Sequence, residues 1–410
     1  MKKFFALLLS LAMVLALVAC GQKDPTPDTP DTPDDPQTKV EYKVAMITDY
    51  GDITDQSFNQ TTYEACKAFA EDNSIEFSYF KPAGDNTADR VAMIEKAVDE
   101  GFNVIVMPGY AFGGAIVEAA PEFPDVKFIA LDVAAGDLLE TAGAKAGETY
   151  DYTPENWDLN KYVDMSNVYC AVYQEELCGY MAGYAAVKLG YKNLGFLGGM
   201  SVPAVVRYGY GFVQGVDAAA ADLGLTDVKL NYIYGGQFFG DADITAVMDT
   251  WYQGGTEVVF ACGGGIYTSA VDAAKKANAK VIGVDVDQAG VIAKYAGVDG
   301  MTVTSAMKGL YPATYDTLTD VIVNGNWDKY VGKIATLGLV SGTDPEANYV
   351  QIPMGDGTQW SDSFTQDDYK AMVKDMFDGK ITVSNNTSSD VSAADFATVI
   401  TVDDQGSIKG

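Results

Sequence analysis

The sequence contains no histidine, and among its 410 residues there are only two arginines, Arg90 and Arg207, and five cysteines. Each shortage excludes some chemistry. Without histidine there is no Ser-His-Asp or Cys-His catalysis and no histidine-bound zinc or haem. Two arginines leave little for two-pronged clamping of phosphate or carboxylate. No pair of cysteines has CxxC spacing, so neither a thiolate metal site nor a redox dithiol has support. Positive charge is also scarce: 57 Asp and Glu stand against 27 Lys and Arg, a net charge of -30. Such a surface repels nucleic acid, whose binding depends on neutralising phosphates. What remains is 48% hydrophobic and 11% aromatic. That composition builds a core, in a chain long enough for two domains.

The first forty residues read as an address and a tether. Met1-Lys2-Lys3 is a short basic start, and Phe4 to Ala19 is an apolar run too short to span a bilayer comfortably. It ends in Leu17-Val18-Ala19-Cys20-Gly21, small residues before a cysteine, similar to the bacterial lipobox. Residues 1–19 are therefore expected to be a lipoprotein signal peptide and Cys20 the lipid attachment point, on the outer face of the cell membrane. Residues 20–39 alternate Pro, Thr and Asp with almost no apolar residue, which predicts an extended, solvated spacer.

From residue 40 the pattern switches repeatedly between short apolar strands and helical runs. Strands are predicted at 43–48, 75–80, 104–107 and 127–131, with helices at 60–72, 88–100 and 115–120 between them. A second series of similar length and order starts near Asn167. Alternation of this kind predicts α/β architecture: two doubly wound parallel-sheet lobes joined by a hinge. The expected N-terminal lobe spans 40–172, with 134–166 read as a loop or insertion. The second lobe spans 173–303, and 304–410 is a C-terminal segment crossing back between lobes. Cys66, Cys170, Cys178 and Cys262 remain; three of them fall in predicted helices or strands, where a buried free thiol is the simple reading, with a disulfide the alternative outside the cell.

In open α/β sheets, ligands sit beyond the carboxyl ends of the strands. The loop from Asp49 to Gln60 lies at such an end. Ser57 with Gln60 matches a capping box, which would start a helix there with free N–H groups facing the cleft. Phe58, on a polar loop, offers an aromatic plate or a packing contact. The corresponding loop of the second lobe carries Gly235-Gly236-Gln237-Phe238-Phe239-Gly240. One plate per lobe would hold a planar ring between them. Gly263-Gly264-Gly265 permits close backbone approach but is not a P-loop. Asp132, Asp285 and Lys308 each end a strand; carboxylates accept from vicinal hydroxyls, while an Asp285–Lys308 pair can equally be structural. No cofactor or metal is called for.

These loops resemble the basic-membrane-protein family, the purine-nucleoside-binding lipoproteins of ABC importers. The resemblance rests on Asp49 and Asp55-x-Ser57-Phe58-Asn59-Gln60, Pro124 to Phe128 leading to Asp132, and Gly179-Tyr180-Met181-Ala182-Gly183. It continues through Gly195 to Gly199, Gly211-Phe212-x-x-Gly215, Gly263-Gly264, Ile282 to Gln288 and Thr304-Ser305-x-x-Lys308. Together these cover roughly residues 42–380. The resemblance implies a type I periplasmic-binding fold with no enzymatic activity, closing on a small-molecule ligand and handing it to a membrane permease. It implies that Phe58 and Phe238 stack on a purine, and that Asp49, Asn59 and Asp132 meet polar edges of base or ribose. Asp285 and Lys308 would meet the ribose hydroxyls, and Gly264 would give a backbone contact. The residues themselves leave a simple sugar, a flavin, a ligand sensor and a nucleoside hydrolase open.

Overall fold

A computed structural model describes residues 41–49 and 51–409, and from Tyr42 onward the chain forms one compact unit. The expected signal peptide, Cys20 and the tether lie outside the described residues. The chain runs β1 (Lys43–Ile47), α1 (Phe58–Asn73), β2 (Glu76–Phe80), α2 (Thr87–Asp99), β3 (Val104–Pro108), α3 (Gly113–Ala119), β4 (Lys127–Leu131), α4 (Ala135–Lys145), α5 (Leu159–Tyr162) and β5 (Val168–Tyr173). It continues through α6 (Glu175–Lys188), β6 (Asn193–Gly198), α7 (Pro203–Asp222), β7 (Lys229–Tyr234), α8 (Ala242–Gln253), β8 (Val258–Cys262), α9 (Tyr267–Ala277), β9 (Lys280–Asp285), α10 (Ala289–Ala296) and β10 (Thr302–Lys308). The last part is α11 (Leu310–Leu318), β11 (Lys333–Leu337), β12 (Val350–Gln351), α12 (Gln366–Phe377) and β13 (Thr401–Ser407).

Two sheets result, in the orders β11-β5-β4-β3-β1-β2 and β12-β10-β9-β8-β6-β7-β13. Every pairing is parallel except β10 with β12. The central strands are buried on both faces, as in β3 and β8, where every residue is buried. That is why they read as continuous apolar runs rather than alternating ones. The chain passes between lobes at Tyr173–Glu175, after Lys308, and between Leu337 and Val350. Gln174 N–H donates to Leu337 O at 2.9 Å and Tyr349 N–H to Gly338 O at 3.0 Å, so the crossing segments bond one another into a hinge. The four described cysteines are buried and free.

Two expectations need correction, and one element was not anticipated. Residues 134–166 are not simply a loop or insertion: α4 is the crossover helix between β4 and β5. Two glycines interrupt its pattern, yet Leu138, Leu139 and Ala142 are buried, and the Asp137 carboxylate accepts the Ala134 N–H at 2.7 Å to fix its start. The Ser57 hydroxyl does not cap α1. Asp55 does, accepting the N–H groups of Ser57, Asn59 and Gln60 at 2.9, 2.9 and 3.1 Å, so these are not free for a ligand. Finally, the tail holds a strand, β13, with no hydrophobic pattern to announce it. It pairs with the edge of β7 after a carboxylate anchor: buried Asp217 on α7 accepts from the N–H groups of Thr398, Val399 and Ile400 and from the Thr398 hydroxyl.

Helices α6 and α7 cross unusually close because glycines meet backbone on both sides. A Cβ on Gly179 or Gly183 would fall on the Tyr208 or Phe212 carbonyl, and one on Gly211 or Gly215 on the Glu176 or Tyr180 carbonyl. Here the obstacle is main chain, which cannot rotate away. Gly211→Ala is therefore expected to lower the unfolding free energy by about 2 kcal/mol. Gly290→Ala, in α10 where a Cβ meets nothing within 4 Å, should leave stability unchanged or slightly raised. Urea unfolding of the two variants checks this; equal midpoints would refute the close-crossing account.

Candidate functional site

The carboxyl ends of both sheets converge on a cavity of about 120 Å³. All eight residues singled out from the sequence line it: Asp49, Phe58, Asn59, Asp132, Phe238, Gly264, Asp285 and Lys308. Phe58 begins α1 in the first lobe, and Phe238 follows β7 in the second. Phe238 rather than Phe239 faces the cavity; Phe239 is 57% exposed. The glycines opposite make room for it, since a Cβ on Gly263 would stand 2.6 Å from the Phe238 ring. Gly264 adopts φ +49°, and its Cβ would meet the Phe238 carbonyl at 2.9 Å. Asp287, two residues beyond the end of β9, is exposed and takes no part.

Asn59 is oriented by its neighbour. Its amide nitrogen donates to the Asp55 carboxylate at 3.1 Å, an acceptor that would repel the amide oxygen. The Asn59 Oδ1 is thereby turned the other way, buried and without a partner. Asp132 Oδ1 is likewise buried and unpartnered. Native structures rarely leave buried acceptors unmet, so these two mark where hydrogen-bond donors belong. Asp132 (φ 58°) and Asp285 (φ 64°) both occupy the left-handed region at their strand ends, a conformation uncommon for residues other than glycine.

At the hinge floor lies Lys308, the last residue of β10. Its ammonium bonds the Asp132 carboxylate across the cleft and stands 3.4 Å from Glu175 and 3.9 Å from Asp285. The rings of Phe58, Tyr173 and Tyr208 surround it at 4.7, 5.3 and 5.6 Å from their centroids. Glu175, fully buried, is bonded on its other oxygen by Arg207 Nε at 2.7 Å. Burial alone would depress the Lys308 ammonium, but Asp132, Glu175 and Asp285 outweigh it and hold the lysine charged. Burial raises Asp132 to about 6 against the pull of Lys308. Burial also raises Asp137 and Glu176, each to about 7. The lobes are tied further by the Ser57 hydroxyl, which donates to Asp285, and by Gln288 Nε2, which donates to the Gln56 carbonyl at 3.1 Å. The Asp285–Lys308 pair weighed from the sequence is thus the weakest of the lysine's three carboxylate contacts. Glu175, Tyr208 and Arg207 escaped the sequence reading. The rarity of arginine was the one available signal for Arg207.

Among the described residues no helix is long and apolar enough to cross a membrane. The sequence profile of the Bmp family, described as ABC transporter substrate-binding protein PnrA-like, matches residues 42–345. The ABC transporter nucleoside-binding protein BmpA of Lactococcus lactis is 25% identical over 389 residues, covering 92% of this chain and 96% of that protein. An uncharacterized lipoprotein of Pyrococcus abyssi is 26% identical over 320 residues, 74% of this chain and 69% of that one. Among solved structures, an ABC transporter solute-binding protein from Aeropyrum pernix superimposes with a TM-score of 0.63 at 19% identity, covering 85% of this chain and 95% of that one. At that identity the superposition speaks for the two-lobed fold alone. With a profile matching the folded body from its first strand past the hinge, the chain belongs to the PnrA-like family of ABC transporter substrate-binding proteins, which take up small ligands for a permease rather than transform them.

Proposed function

We propose that this protein binds a purine nucleoside in the interlobe cavity and delivers it to the permease of an ABC importer, held at the outer face of the membrane by a lipid on Cys20. The observation that carries the ligand class is the pair of buried, unpartnered acceptors, Asn59 Oδ1 and Asp132 Oδ1, in a cavity with one phenylalanine from each lobe. A planar base supplies the face that Phe58 and Phe238 would cover; amino or ring N–H groups and ribose hydroxyls supply donors. The charge balance favours a neutral ligand. Asp49, Asp55, Asp132, Asp137 and Asp285 line the cavity with only Arg207 and Lys308 opposing them, and both cations are already paired with carboxylates. A nucleotide phosphate would meet repulsion here. The name of the Lactococcus relative supports a nucleoside, and that of the Pyrococcus relative a lipoprotein.

Calorimetric titration of ligand-stripped protein with adenosine, guanosine and inosine tests the ligand. Heat and a thermal shift with at least one are expected; neither at millimolar concentration would sink the reading. Stacking of a base on an aromatic side chain contributes about 1–3 kcal/mol. Phe58→Ala should therefore weaken binding roughly 5- to 150-fold while the empty protein still folds and unfolds cooperatively.

A pH effect of defined sign follows from Asp132, Asp137 and Glu176. Each holds its proton more tightly folded than unfolded, so its ionisation opposes folding above the folded value, near 6 to 7, and the penalty vanishes below the unfolded value, near 4. The ligand-free protein should accordingly melt higher at pH 5 than at pH 8, with a shallower slope in Asp137→Asn. Ligand hydroxyls donating to Asp132 favour its ionised form, so affinity should run the other way and fall on acidification through pH 6. Melting curves and titrations across that range decide both; a flat melting profile removes the first.

A further inference from the structure

The tail beyond the family match reaches back to the cavity wall. After the Asp217 anchor, β13 runs along β7, Ile408 N–H donates to Tyr234 O at 2.8 Å, and Lys409 arrives over the loop that carries Phe238. There the Lys409 ammonium bonds Asp241 and donates to Gln237 Oε1 at 3.0 Å. Gln237 Nε2 in turn donates to Phe239 O at 2.9 Å and to Asp241 at 3.0 Å. Asp241 is not mobile surface charge: its other oxygen accepts the Ile244 N–H at 3.0 Å and starts α8. Gln237 and Asp241 within the 235–241 loop are thus bonded to each other and bridged by one lysine. The tail also needs the loop's glycine, since a Cβ on Gly236 (φ +79°) would stand 2.6 Å from the Lys409 carbonyl. On its inner side the same loop is tied to the cavity by the Gly265 N–H, which donates to the Phe238 carbonyl at 2.8 Å.

We propose that Lys409 is a positioning residue for the binding site: through Gln237 and Asp241 the C-terminal tail clamps the 235–241 loop and holds the Phe238 ring against the cavity. The proposal deepens the nucleoside reading by naming what sets one of its two plates. The loop's first residues are held by the second lobe, with the Gly235 and Gly236 N–H groups donating to Gly198 O and Gly199 O, while Gln237 and Phe238 are half-buried and Phe239 is exposed. Beyond Gly236 the side chains of the loop take part of their order from the tail, through the Lys409 contacts to Gln237 and Asp241.

The test compares Lys409→Met, which keeps the length without the charge, and Lys409→Arg, which keeps the charge, in the full chain. Lys380→Met, on a surface lysine paired with Asp375, serves as control. The first readout is amide hydrogen exchange at residues 237–240 and at Gly265 in ligand-free protein. Lys409→Met should speed exchange there about three- to tenfold, Lys409→Arg should restore most of the protection, and the control should change nothing. Unchanged exchange in Lys409→Met, or equal loosening throughout the second lobe, overturns the clamp. The second readout is dissociation of whichever of adenosine, guanosine or inosine the unsubstituted protein binds. Release about three- to tenfold faster from Lys409→Met, at an unaltered melting temperature, is expected. A looser loop with unchanged release overturns the positioning role. If the unsubstituted protein binds none of the three, the nucleoside reading fails, while the exchange data still decide whether the tail clamps the loop.

Discussion

The arrangement depends on one buried ammonium. Lys308 sits where the chain leaves the second sheet for the first lobe, with only 3% of its side chain exposed. A charge removed from water is costly unless it is paired and its hydrogen bonds are met. The partners come from both lobes and from the hinge: Asp132 from the end of β4, Asp285 from the end of β9, and Glu175 from the start of α6. Glu175 is then itself a buried charge and needs Arg207. The two aspartates take up left-handed backbone at the strand ends, where their carboxylates meet the ammonium. The hinge and the floor of the cleft are therefore one electrostatic unit.

This explains how a chain with so few cations forms a cleft rich in carboxylates. The positive charges that line the cavity are consumed internally, leaving acceptors rather than cations facing the space. Asn59 extends the pattern by chemistry of another kind: its amide is turned by Asp55 so that it too presents oxygen. A ligand suited to such walls brings donors and a face for the aromatic rings, and no negative charge. The scarcity of histidine and arginine in the sequence is the same property seen from outside.

What could be read from the sequence follows from which forces leave a local signature. The buried parallel strands and the helices between them were legible because apolar runs are set by burial on both faces. The cavity residues were legible because strand ends are where such sheets bind ligands, and the odd aromatics and aspartates fall there. Helix α4 was obscured by its two glycines, Gly136 and Gly143, although its apolar face is as distinct as those of α1 and α2. Strand β13 was hidden because its stability comes from the β7 edge and the Asp217 anchor, not from its own Thr-Val-Asp-Asp-Gln-Gly-Ser sequence. Glu175 looks like any acidic residue in a first helical turn, and Ser57 like any cap. That one is fully buried against two cations, and the other donates across the cleft, depends on chain segments 32 to 228 residues away.

The glycine crossing of α6 and α7 joins the packing to the chemistry. Glu175 opens α6 and Arg207 lies in the early part of α7, so their 2.7 Å bond requires the two helix starts to approach closely. The approach is set a turn further on, where Gly179 lets α6 rest on the Tyr208 carbonyl and Gly211 lets α7 rest on Glu176. Tyr208, held between these contacts, turns its ring toward Lys308 and its hydroxyl to Asp285 at 3.3 Å. With larger residues at the crossing the helices would separate by the width of a side chain. Arg207 would then draw away from Glu175 and leave a buried carboxylate with only the lysine to balance it. The close backbone contact in this fold is thus a condition for the charge pattern of the cleft, and through it for what the cleft is able to hold.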